Sequence, residues 1–413
     1  MLSSFHHNQT THQSLGQSSK GAALSTMTDA GSLRTGILCL GGLGGSGKVA
    51  TELAQGLTAA GAEVFLFTSP QAQWMTDDES SLHYLPVSAP RTPTAADLTW
   101  VEPLADEIAQ HVATYDIPVL NVHYAVGLVE AALLARRLLL DRDRPLAICL
   151  TLHGSDVTRF GTDPNYGPQL RWAILACDRV TAVSQWLADQ AVAILGLETR
   201  PEVIPNAIDL DLFHPLQRWI AAPSETLNLC HVSNFREVKR PLDAIGVLAR
   251  VRGAGVPARL LMIGEGPLVA PAREQAQRLG VAKHVMFLGA ASPNEVVRWL
   301  GVSDLQLVTS ESESFCLAAL EAMACEVPVV GTLCGGLEEV IGVLDAALPA
   351  QLLSAPGDTA AMAARVVHLF NTPAAYQHIR DSLRAKIERH FSRSVQLNAY
   401  AEALSVLYAE VRA

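Results

Sequence analysis

Charge is scarce in this sequence. Of its 413 residues only 17% are Asp, Glu, Lys or Arg, against about 25% in an ordinary soluble protein. The hydrophobic fraction of 49% excludes a disordered or fibrous chain. Positive charge is scarcer still: 30 Lys and Arg against 41 Asp and Glu leave a net charge of −11. That balance offers no broad field to nucleic acid or an anionic membrane, so neither is expected as a stable partner. An anionic ligand has to meet a local basic cluster instead. Long apolar runs are also missing: the richest stretch, Val119 to Leu140, is interrupted by His123, Glu130, Arg136 and Arg137 and cannot span a bilayer. The seven cysteines form no C-x-x-C pair, which argues against a zinc site or disulfide framework and for reduced thiols in a cytoplasmic protein.

At about 150 residues per domain, the length predicts two domains or three. Residues 1–26 are rich in Ser, Gln, Thr and His, carry Lys20 as their one charge, and read as a disordered tail or a mis-annotated start ahead of Met27. Beyond Thr35, short apolar runs alternate with helical periodicity. The predicted strands are Gly36–Leu40, Glu63–Thr68, Val119–His123, Ala147–Leu152 and Arg179–Val183. After a proline-bearing connector at Asn206–Pro215 the alternation restarts with Leu227–Val232, Arg259–Ile263, His284–Leu288, Leu305–Val308 and Pro328–Gly331. Two such series imply an α/β protein of two doubly wound, Rossmann-like domains facing a cleft, at residues 33–208 and 209–390. The final helical pattern at 391–413 has no strand after it and is expected to lie across either domain.

Two places concentrate chemistry. The loop Gly41-Gly42-Leu43-Gly44-Gly45-Ser46-Gly47-Lys48 follows a strand and opens a helix, so amides and a helix N-terminus can face an anion. It satisfies G-x-x-x-x-G-K, but Val49 replaces the hydroxyl that would hold Mg²⁺, which argues against a P-loop triphosphatase. A tight turn packing strand on helix is the plainer alternative. In Ser233–Arg240, the cations Arg236, Lys239 and Arg240 fall within five positions and oppose a helix dipole, a combination that suits a diphosphate. Farther on, Glu313 and Glu321 stand eight residues apart around a helix start. Eight helical residues rise about 12 Å, too far for a retaining glycosidase pair, so the two carboxylates are expected to grip different parts of one long ligand.

With these strings in place, the chain from Thr35 onward resembles the family 4 retaining glycosyltransferases of the two-domain GT-B fold. The resemblance rests on Gly44–Gly47 with Ala50–Leu53, Val122–Ala125, Thr151–Asp156, Thr181–Ser184, His231–Arg236, Glu313–Phe315 and Leu320–Cys325. Within the family it looks most like the members that move N-acetylglucosamine from UDP-N-acetylglucosamine (UDP-GlcNAc) to L-malate in bacillithiol biosynthesis. It implies catalytic roles for His153, Arg236, Lys239 and Glu313. On the donor side, Glu321 would hold the ribose and Glu313 the sugar. Arg236, Lys239 and the amides of Gly45 and Gly47 would neutralise the diphosphate, with Asn234, Phe315, Cys316 and Leu317 around the donor. On the acceptor side it implies Ser46, Tyr124, Thr151, His153 and Asn234. No cofactor or metal is implied, and a homodimer is compatible with the family.

Departures from the family pattern are Cys316 and Glu326 where glycine is usual, Glu338 for a common proline, and Lys48 at a usually apolar position. Cys316 would be strained if its φ were positive. Lys48 either meets acceptor carboxylates or is solvated. Rival readings are a family 4 enzyme acting on inositol phosphate and a non-catalytic nucleotide-sugar binder.

Overall fold

The computed structural model describes residues 33–41, 45–69, 82–90, 94–216, 226–343 and 345–413. The predicted tail at 1–26 and the Gly42-Leu43-Gly44 part of the glycine loop lie outside the described residues. Seven strands build the first sheet: β1 (Arg34–Leu38), β2 (Glu63–Thr68), β3 (His83–Pro86), β4 (Val119–His123), β5 (Ala147–Leu152), β6 (Arg179–Ala182) and β7 (Glu202–Val203). Six build the second: β8 (Leu227–Val232), β9 (Ala258–Ile263), β10 (Val285–Gly289), β11 (Leu305–Val308), β12 (Val329–Thr332) and β13 (Leu353–Ser354). Their orders are β3-β2-β1-β4-β5-β6-β7 and β10-β9-β8-β11-β12-β13. Every strand pair in them is parallel. Helices cover both faces of such sheets, which is why β2, β4 and β5 are buried almost continuously rather than at alternate positions.

In each sheet the strand order reverses once, between β1 and β4 and between β8 and β11. Ligands of open parallel sheets bind beyond the carboxyl ends of strands at such reversals. The loops after these four strands are the glycine loop, His123-Tyr124, Ser233–Arg240 and Thr309–Phe315. The glycine loop, Tyr124, the Ser233–Arg240 loop and Glu313 therefore fall on the two switch points, while His153 and Ser184 follow the neighbouring strands β5 and β6.

The domains share chain at their back. Ile208, in the connector, bonds the Phe391 carbonyl at 2.9 Å and bridges Ser392. Arg384 donates to the carbonyls of Leu210, Phe213 and Ala324, each at 3.0 Å. From Ser392 the C-terminal helix Arg393–Arg412 returns to the first sheet, where Tyr400, Leu404 and Leu407 join one buried cluster with Ile37, Leu53, Leu57, Leu66 and Val119. Its last turns thus complete the first domain's core. Leu404 is fully buried there, so Leu404→Ala is expected to cost about 3 kcal/mol by lost transfer energy and cavity formation. Urea denaturation of the full chain checks this, and a loss below about 0.5 kcal/mol would show the helix to be peripheral.

Candidate active site

The two domains meet at Ser314, in the loop after β11, which touches the loops after β5 and β6. Its hydroxyl donates to the His153 carbonyl at 2.6 Å, and its own carbonyl accepts from Ser184 Oγ at 2.6 Å, so one residue of the second domain is held from both ends by the first. Gly154 makes the approach possible: its φ is +139°, and a Cβ there would lie 2.7 Å from Ser314 Oγ. A second clasp comes from Glu339, whose carboxylate accepts from the Gln185 and Trp186 amides at the N-terminus of the helix Gln185–Leu195. The seam brings Ser314, next to Glu313, against His153 and Gly154, and Leu317 against Gly45. A Cβ on Gly45 would stand 3.7 Å from the Leu317 side chain.

Carboxylates and lysines pair across and beside this seam. Lys239 Nζ lies 2.7 Å from Glu313 Oε1, which also accepts from Ser310 Oγ at 2.6 Å. Burial opposes the Lys239 charge, yet Glu313 and Cys316 together more than restore it and lift the ammonium above its ordinary pKa. Glu313 is not on the helix Leu317–Ala324 but in the loop before it, bridged to Gly335, so the expected separation along eight helical residues does not apply. Only Glu321 projects from the helix. Lys48 is neither solvated nor left for an acceptor: its Nζ reaches across the domains to Glu321 Oε1 at 2.9 Å, with side-chain exposures of 19% and 13%. Burial opposes this charge too, and Glu321 and Glu52 more than restore it. Arg240 pairs with Asp243 at 2.7 Å. Arg236 alone of these four cations makes no ion pair among the described residues, and it is exposed beside Asn234 at the end of the Ser233 loop.

That loop is shaped by two glycines the sequence reading passed over. Gly264 and Gly266 have φ of +124° and +155°, and a Cβ on either would overlap the carbonyl of Ser233 or Asn234. The legible signal was Gly264-Glu265-Gly266-Pro267 directly after a strand. Phe315 is buried, edge-on to Phe391 at 5.4 Å, so only its backbone faces the seam. Cys316 adopts φ 81° and ψ 71° as it caps the helix, and Glu326 has φ 59° after it. Both are left-handed conformations that cost a side-chain-bearing residue about 1 kcal/mol.

In the first domain, Gly45 is exposed, Ser46 partly so and Gly47 buried. The Tyr124 hydroxyl lies 3.0 Å from Ser155 Oγ. Thr151 requires a correction. It is fully buried in β5, and its hydroxyl meets Asn121, Thr181 and Tyr400 rather than the cleft, because its face of the sheet is covered by the C-terminal helix. His153 is partly exposed, and its Nε2 lies 3.0 Å from His123 Nδ1. Burial pushes the His153 pKa down to about 3. In the second domain His231 is pushed to about 4 by the same cause, with its ring held between the Leu307 carbonyl and Ser233 Oγ.

A histidine kept neutral by the fold binds a proton only when the chain unfolds. Stability is therefore lost as pH falls through the unfolded value of 6.5. From pH 7.5 to 5.5 His153 and His231 are each expected to remove about 1.4 kcal/mol of unfolding free energy. Urea midpoints at the two pH values test this. The difference should shrink by about half of that sum in His231→Gln, and an unchanged difference would contradict it.

Two family models match the chain, "Glycosyltransferase Family 4" over residues 43–212 and "Glycosyl transferases group 1" over 217–386. The N-acetyl-alpha-D-glucosaminyl L-malate synthase of Bacillus anthracis is 30% identical over 374 residues, 89% of this chain and 95% of that protein. A D-inositol 3-phosphate glycosyltransferase of Segniliparus rotundus is 34% identical over 237 residues, 51% of this chain and 53% of its own. Among solved structures, the sucrose-phosphate synthase of Thermosynechococcus elongatus superposes with a TM-score of 0.76 at 18% identity, covering 92% of this chain and 100% of its own. Anabaena HepE in complex with UDP does so with 0.71 at 19% identity, covering 91% and 100%. Two parallel sheets with their motifs at facing switch points, matched by family models on both halves and by a relative along nearly its whole length, show that this chain belongs to the family 4 glycosyltransferases of GT-B fold.

Proposed function

We propose that this glycosyltransferase moves N-acetylglucosamine from UDP-GlcNAc to the hydroxyl of L-malate with retention of anomeric configuration, the first step of bacillithiol biosynthesis. The observation that carries the reading is the extent of the match. The L-malate synthase aligns along 95% of its length, whereas the inositol 3-phosphate enzyme aligns along 53%.

The site's chemistry is consistent with it. Arg236, with no carboxylate partner among the described residues, is placed to fork onto the diphosphate, and Lys239 supplies a second charge behind it. The amides of Gly45 and Gly47, at the start of the helix Gly45–Ala59, add donors without a metal. Glu321 would take the ribose hydroxyls and Glu313 those of the sugar. Ser46, Tyr124 and Asn234 would surround malate, and His153 the transferred sugar. The malate hydroxyl attacks the anomeric carbon on the face that UDP leaves. The carbon–oxygen bond to the diphosphate breaks as the new one forms, and the hydroxyl proton passes to a diphosphate oxygen. Donors clustered on the departing phosphate stabilise the charge that develops there.

Purified protein given UDP-GlcNAc with L-malate and inositol phosphate side by side is expected to yield the malate glucosaminide and UDP, read by mass spectrometry. Product from inositol phosphate alone overturns the acceptor, and donor binding with no UDP release overturns the enzyme reading. Lys239→Ala is expected to lower kcat by more than about tenfold without changing the fold. Near-normal turnover would remove Lys239 from the diphosphate.

A further inference from the structure

Behind His153 a chain of buried polar groups runs through the first domain to the C-terminal helix, and hydrogen-bond arithmetic gives it a direction. It starts from three hydroxyls. Thr181 Oγ1 donates to Thr151 Oγ1 at 2.9 Å, and the Tyr400 hydroxyl lies 3.3 Å from the same oxygen. A hydroxyl has one proton and two lone pairs. Thr151 gives its proton to Asn121 Oδ1 at 3.2 Å, so its lone pairs are left to accept from Thr181 and Tyr400. Tyr400 can act as donor because burial raises its pKa and keeps the phenol protonated.

The accepted proton orients the Asn121 amide. With Oδ1 occupied by Thr151, Nδ2 faces His123 Nε2 at 3.1 Å. An amide nitrogen only donates, so Nε2 of His123 is the acceptor and its proton sits on Nδ1. That Nδ1 lies 3.0 Å from His153 Nε2, which must accept in turn and carry its own proton on Nδ1. His153 is partly exposed, and its Nδ1 makes no side-chain hydrogen bond among the described residues. Its backbone is fixed at the domain seam by Ser314.

We infer that Thr151, its lone pairs filled by Thr181 and Tyr400, acts through Asn121 and His123 as a positioning residue that presents His153 to the cleft as an Nδ1–H donor. The chain holds only while both rings are neutral, since a second proton on His153 would set N–H against N–H. Burial lowers both histidines, His123 further disfavoured by His153 beside it, and the titratable groups against His123 are His153 and Tyr400. His153 is therefore a hydrogen-bond donor to an oxygen of the bound sugar or its leaving group, not a base for the acceptor. The functional consequence rests on the proposed sugar transfer; the tautomer does not.

The test reads the two separately. Long-range proton–nitrogen spectra of the ¹⁵N-histidine-labelled full chain, assigned with His123→Gln and His153→Gln, report which ring nitrogen carries the proton. Protonated Nδ1 and bare Nε2 on both rings, unchanged from pH 5.5 to 8, are expected. A proton on Nε2 of either ring, or titration in that range, overturns the inference whatever the substrates prove to be. Thr151→Val deletes the hydroxyl with little change in shape. It should let His123 populate both tautomers and lower kcat by roughly three- to tenfold, with the donor KM unchanged and Thr151→Ser restoring both. A single tautomer in Thr151→Val, or a raised KM for L-malate with the tautomer intact, overturns it.

Discussion

The site depends on how closely two separate backbones approach at Ser314. Its hydroxyl and carbonyl are both used across the seam, and neighbouring glycines leave no alternative packing: a Cβ on Gly336 would overlap the Ser314 carbonyl, as one on Gly154 would crowd its hydroxyl. Ser314 lies between Glu313 and Phe315, and His153 lies beside Gly154. The clasp therefore sets the distance between the carboxylate of one domain and the imidazole of the other. Such hydrogen bonds contribute only about 1 kcal/mol each, and their weight here is geometric. They align two domains whose sheets are built independently.

The fold was legible because parallel strands buried on both faces are short, continuous and apolar. Glu63–Thr68, Val119–His123, Ala147–Leu152, Leu227–Val232 and Leu305–Val308 have the predicted bounds. Three of the four edge strands give no such signal, β10 being the exception. β7 and β13 have two residues each, and β3 alternates around exposed His83 and Pro86, so each forms only because a neighbour supplies its ladder. At the site, residue type was legible and partnership was not. The Arg236, Lys239 and Arg240 cluster could be counted, but that Lys239 and Arg240 face carboxylates while Arg236 does not is a tertiary fact. Thr151 was placed with its neighbours in the string, although the C-terminal helix covers it. Asn121 and His123 looked like ordinary strand residues, and Tyr400 lies about 250 residues farther along the chain from the threonine it bonds.

An acidic chain with few cations thus arranges them in two layers. Lys239 and Lys48 are largely buried and neutralise Glu313 and Glu321, while Arg236 stands outside that balance. Burying a lysine costs several kcal/mol unless a carboxylate accompanies it, and each lysine has one within 3 Å. The inner pairs hold the carboxylates in place, and in the proposed mechanism the outer arginine carries the attraction for an anion.

The Lys48–Glu321 pair joins different domains. In the proposed mechanism Glu321 also reads the nucleotide's ribose, so a single carboxylate belongs both to an interdomain contact and to the recognition site. Whatever draws it toward a ribose draws it from Lys48. Nucleotide affinity and the strength of this interdomain contact then become linked variables, each measurable through the other, with a coupling set by how fully one oxygen pair can serve both claimants.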